Sequence, residues 1–74
     1  MRVISKKKVD IKFIKQLRLD QHFSQVEVAK GIGLNSSDKY NRRENGDYNF
    51  RPEELQALSE LLNVPMEKFF TKTV

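Results

Sequence analysis

Seven of the eight residues from Ser36 to Arg43 are polar or charged, with Tyr40 the one large apolar side chain among them. Their chemistry is that of hydrogen bonding to the edges of nucleobases. An Arg or a Lys can donate two bonds to guanine, an Asn can pair with adenine, and a Ser can serve either. On those terms Arg42 and Lys39 lead the candidates, with Asn41 and Ser37 in support. Asp38 could accept from cytosine, but in a first helical turn its charge has a simpler use, opposite the positive end of the helix. Arg43 has two readings, a phosphate contact or a surface cation, and the sequence weighs them equally.

Such side chains need a helix to present them, and the flanking residues supply one. Asn35, Ser36 and Ser37 are all good caps for a helix that runs to about Glu44. Asn45-Gly46 ends it with residues that tolerate a left-handed backbone. Tyr40 is the inward anchor, and Asp38, Lys39, Asn41, Arg42 and Arg43 are expected to face outward. A helix with one anchor gains little from burial, so its neighbours must hold it.

The preceding helix is set by a capping box, Ser24 with Glu27 three residues on, and Phe23 before it is placed as a hydrophobic staple. Val28, Ala29 and Ile32 form its buried face, Lys30 points outward and Gly31 weakens it slightly. Gly33 is a natural stop, so this helix is about two turns long. Leu34 re-enters the core.

An earlier helix starts at Asp10 as N-cap, carries Ile11, Ile14, Leu17 and Arg18 at helical spacing, and ends near Asp20 to His22. After Glu44, Tyr48 and Phe50 alternate in a loop. Pro52 fits the first position of a fourth helix, with Glu53 and Glu54 at its positive end and a stripe of Leu55, Leu58, Leu61 and Leu62. Pro65 opens a last short helical turn with Met66, Phe69 and Phe70. The pattern predicts an all-α, compact five-helix domain over residues 10–70. Residues 1–9 read as a basic arm, with Arg2 to Ser5 able to extend as a strand, and residues 71–74 read as a frayed tail.

Composition sets the bounds. Seventy-four residues make one small domain, and the absence of cysteine excludes disulfides and thiolate metal sites. His22, the single histidine, cannot build a metal site alone. No cofactor is expected. No run has the length of a membrane span and the N-terminus has no signal-peptide core, so a soluble cytoplasmic protein is expected. Residues 1–51 hold 12 Lys and Arg against 6 Asp and Glu, whereas residues 52–74 hold 2 against 4. This asymmetry fits either one side that faces a polyanion or a generally soluble surface with chance clustering, and charge alone weighs the two equally.

Residues 14–70 resemble the Cro and lambda-repressor type helix-turn-helix domains, the XRE family. The likeness rests on Leu17-Arg18, the opening Ser24-Gln25, Val28-Ala29, Ile32-Gly33-Leu34, Glu44-Asn45-Gly46 and the late helix LQALSELLNVP. Between the glycine matching Gly33 and the glutamate matching Glu44, the family usually has one residue fewer. The extra residue is assigned to the turn at Asn35 or Ser36. Arg43 stands at a position that is commonly apolar in the family.

The resemblance implies roles for particular residues. Ser36, Ser37, Asp38, Lys39, Asn41 and Arg42 correspond to the groove-facing positions. Gln25 corresponds to a glutamine that contacts phosphate and braces the start of the recognition helix. Asn49 and Arg51 lie in a loop that normally meets phosphates, and Arg18 with Glu44 looks like a buried ion pair. The implied function is sequence-specific binding of double-stranded DNA on a near-palindromic operator, as a repressor, with activation through contact to polymerase as a second alternative that sequence does not separate from it. The implied assembly is a homodimer formed through Asn63 to Met66 and the last helix.

An enzyme is not expected, because there is no cysteine, the only histidine lies at a helix end, no carboxylate pair is flanked by anything that would tune it, and Gly31-x-Gly33 is not a phosphate loop. The competing class is an antitoxin, co-repressor or antirepressor module acting through protein contact. Tyr48, Phe50, Met66, Phe69 and Phe70 would carry that role if exposed; closure of the core is the plainer reading for most of them.

Overall fold

A computed structural model describes residues 6–73. The elements run β1 (Lys6–Val9), α1 (Ile11–Asp20), α2 (Gln25–Gly31), α3 (Ser37–Glu44), α4 (Pro52–Leu62), a 3-10 turn (Met66–Phe69) and β2 (Phe70–Thr73).

The caps that the sequence advertises start the helices. Asp10 accepts from the Phe13 N–H at 3.1 Å. Ser24 and Glu27 form the reciprocal box, with Glu27 N to Ser24 Oγ at 3.1 Å and Ser24 N to Glu27 Oε1 at 2.8 Å. Of the three candidates before α3, Ser36 is the cap, its Oγ accepting from Lys39 N at 3.3 Å. Asn35 and Ser36 therefore lie in the connection between α2 and α3. At α4, Glu54 reaches back to the Arg51 N–H at 3.0 Å, and Pro52 occupies the first turn.

Four helix ends use a left-handed residue, the fourth being Gly46 after α3 at φ 88°. Gly33 stands at φ 85°, His22 at φ 63° and Asn63 at φ 59°. Gly33 meets no steric bar to that conformation, whereas His22 and Asn63 hold it against their Cβ. Gln21 Nε2 donates to the Leu62 carbonyl at 2.8 Å, joining the ends of α1 and α4.

The core gathers Ile14, Val28, Ala29, Ile32, Tyr40, Phe50, Leu55, Leu58, Leu62 and Phe69, with every helix contributing. Gly31 marks the approach of α2 to α4, since a Cβ there would sit 2.9 Å from a Leu61 methyl.

Two features depart from the all-α, five-helix expectation. The fifth helix is a single 3-10 turn of four residues, with Phe69 fully buried at its end and Phe70 leaving it in extended conformation for β2. The chain ends also pair, β1 with β2 antiparallel, in the register Lys6↔Thr73, Lys7↔Lys72, Lys8↔Thr71 and Val9↔Phe70. Lys6–Val9 is thus a strand within the domain, and Thr71–Thr73 is its partner, where the pattern predicts an arm and a frayed tail. A backbone bond from Asp10 N to the Phe69 carbonyl, 2.6 Å, seals the junction. The expected strand at Arg2 to Ser5 lies outside the described residues, as does Val74.

Candidate nucleic-acid interface

A polar clasp of a kind no local pattern shows fixes α3. Arg18, from α1, donates through Nε to Glu44 Oε2 at 2.8 Å and through Nη2 to Glu44 Oε1 at 3.0 Å. Its Nη1 caps the Phe23 carbonyl at 2.9 Å. Their side chains are 9% and 1% exposed. Burial by itself pushes the Glu44 carboxyl up, but the hydrogen bonds from Arg18 and Gln25, with the nearby Tyr40 hydroxyl, outweigh it and hold the group below its ordinary value. The same bond to Glu44 raises Arg18.

Tyr40 lies beneath this pair. Burial first, and then the Glu44 carboxylate, raise its phenol well above the usual value. Its buried hydroxyl nevertheless has no partner at full hydrogen-bond geometry among the described residues. It sits close enough to feel Glu44 without making a well-formed bond.

The clasp continues outward along α3. Gln25 Nε2 donates to Glu44 Oε1 at 3.0 Å, Asn41 Nδ2 donates to Gln25 Oε1 at 3.2 Å, and Asn45 Nδ2 donates to Asn41 Oδ1 at 3.1 Å. Gln25 therefore braces the second half of α3, at Asn41 and Glu44, rather than its start. The reason is reach: Gln25 opens α2 directly beside the end of α3, and Glu44 is the buried acceptor there. Asn41 is half-buried and belongs to this chain of amides.

Arg43 does not face outward as expected. Its Nε donates to Glu54 Oε1 at 2.8 Å and its Nη1 to the Lys39 carbonyl at 2.9 Å. These side chains are only 11% and 7% exposed. Arg43 is thus turned toward α4, whose first turn supplies its counter-charge, at the floor of a cleft beside that turn. The sequence pattern accounts for Glu54 only as a helix-start charge. The signal that could have found this pair was the misplaced Arg43, whose burial demands an acid within reach.

What remains on the free side of α3 is a shorter set. Ser36, Lys39 and Arg42 are exposed and Ser37 is half-buried. Arg42 Nε donates to Asp38 Oδ2 at 3.0 Å, and its guanidinium carbon lies 5.7 Å from the centroid of the Tyr48 ring. Asn49 and Arg51 are exposed on the following loop. With Lys39 they rim an open cleft of about 620 Å³ between the α2–α3 turn and the start of α4. The fold thus brings Lys39, Asn49 and Arg51 to one cleft, which is also lined by Tyr48, the ring that Arg42 faces.

Two short helices joined by a glycine turn, the second clasped from behind and lined outside with donors, define a helix-turn-helix unit. The helix-turn-helix family model matches residues 14–69, and the chain belongs to that family in its Cro and lambda-repressor form. No curated protein matches it. Membership makes the chain a DNA-binding transcription regulator in general terms, within a family that is regulatory rather than catalytic. Among the described residues, no helix is long and apolar enough to cross a membrane.

Proposed function

We propose that this chain is a repressor that reads a near-palindromic operator with α3 in the major groove. The observation that supports this best is the division of α3 into two sides. Tyr40, Glu44, Asn41 and Arg43 hold the helix to α1, α2 and α4, while Ser36, Ser37, Lys39 and Arg42 are left to meet bases. Within that reading, Lys39 and Arg42 lead base recognition and Asn49 and Arg51 contact phosphates. Gln25, Asn41 and Arg43 serve as braces, since the hydrogen bonds above engage them within the domain.

The homodimer is proposed through Asn63 to Met66 and the 3-10 turn, because a two-fold operator needs a two-fold protein. Sedimentation that finds a monomer both free and on operator DNA would remove this part. A protein-contact module is the lesser reading, because Phe50 and Phe69 are buried in the core and do not offer themselves to a partner.

The deciding experiment is selection of bound duplexes from random DNA. The repressor reading expects one enriched motif with two-fold symmetry and half-sites about one helical turn apart. Recovery of unenriched sequence would overturn it in favour of protein contact.

A further inference from the structure

Arg42 leaves the last turn of α3 and is held from two directions. Asp38, one turn earlier on the same helix, accepts its Nε–H. Tyr48 lies against its guanidinium face. Tyr48 is itself positioned, because the Asp47 and Tyr48 N–H groups donate to the Arg42 carbonyl at 2.8 and 3.3 Å. The loop therefore folds back over the very residue that its tyrosine covers.

These two holders leave a particular part of Arg42 free. Nη1 and Nη2 make no hydrogen bond of full geometry among the described residues, although the Tyr48 side chain lies near enough to help raise the Arg42 pKa behind Asp38, and a forked pair of donors is what guanine O6 and N7 require. Arg43, the neighbouring arginine, has both Nε and Nη1 engaged inside the domain. Asp38 is also an acid on a face proposed to approach phosphates. Its direct effect on DNA is repulsive, and its gain comes only through Arg42.

We infer that Asp38 and Tyr48 are positioning residues that present the terminal nitrogens of Arg42 to a base edge. Asp38 raises specificity a second time by weakening attraction to DNA of any sequence. The inference rests on the reading that α3 meets bases.

The test measures binding of the full chain to its selected site, to that site with single base changes and to random duplex, across salt concentrations. Tyr48→Ala is expected to lower discrimination at the base pair read by Arg42 about 2- to 5-fold, the scale of an exposed cation–π contact. Tyr48→Phe, which keeps the ring, should retain most of it. Asp38→Ala should lower the same discrimination while binding random duplex more tightly. Losing the acid should also steepen the salt dependence by about one ion.

In an Arg42→Ala background neither substitution should change discrimination further. A purely structural role for Asp38 or Tyr48 would instead lower the melting temperature and leave the base preference intact. The inference is overturned if Arg42→Ala relaxes one base preference but Asp38→Ala and Tyr48→Ala do not. An Arg42→Ala loss that is equal on selected and random DNA overturns both the inference and the base-reading role of Arg42.

Discussion

Arg43 Nε lies 2.8 Å from Glu54 Oε1, and that contact joins the recognition helix to the first turn of α4. With Arg18–Glu44 it makes a second ionic clasp, so α3 is pinned from α1 on one flank and from α4 on the other. Glu54 accepts the Arg51 N–H through the same oxygen. One carboxylate therefore sets both the start of α4 and the seat of α3.

Breaking this second clasp should be costly on one side and mild on both. Glu54→Ala strands a nearly buried guanidinium and is expected to cost on the order of 3 kcal/mol. An Arg43→Leu, Glu54→Leu double variant should lose less than Glu54→Ala alone, because apolar replacement of a buried pair is often close to neutral. Chemical denaturation of the two variants checks the order. Salt dependence of DNA binding should be unchanged in Arg43→Leu, in contrast to an arginine that touches phosphate.

The first clasp predicts a pH dependence. Glu44 titrates below its unfolded value in the folded chain. Its contribution is thus complete above the unfolded glutamate pKa of about 4.3 and is lost as pH falls through the lower folded value. Melting temperature should fall on acidification through that window, and Glu44→Gln should flatten this limb. An equally steep limb in Glu44→Gln would assign the acid sensitivity to other carboxylates.

Ser24→Ala should destabilise the domain by about 1 kcal/mol, since it removes the acceptor for Glu27 N and half of the reciprocal box. Thermal melting would register the change. An unaltered curve would mean that the α2 start is held by packing alone.

His22→Gly should stabilise by about 1 kcal/mol, because His22 sits at φ 63° and glycine adopts that conformation without a steric penalty. Denaturation midpoints would show it. A destabilised variant would indicate that the imidazole contributes more than the backbone strain removes.

Arg42→Ala should lose about 1–3 kcal/mol on the selected operator and relax preference at one base pair. Titration of operator variants reads both effects together.

Much of this molecule was legible along the chain because capping and helix periodicity act over three or four residues. Asp10, Ser24 with Glu27, Pro52 and the leucine stripe of α4 each announce their element from neighbours alone. Gly33 and Gly46, at φ 85° and 88°, do the same for the helix stops. The candidate face, Ser36 to Arg42, follows from that local order together with the polar residues it carries.

Tertiary structure decided which polar side chains are free. Arg42 and Arg43 are neighbours of the same type, yet one is half exposed beside Asp38 and the other is largely covered against Glu54. Gln25 turned toward Glu44, 19 residues away, and Lys6–Val9 paired with Phe70–Thr73 from the other end of the described sequence. These contacts join residues far apart in sequence, and a buried charge chooses its partner by what three-dimensional packing places within about 3 Å. Residue type supplied the donors, and packing determined which of them remain available to DNA.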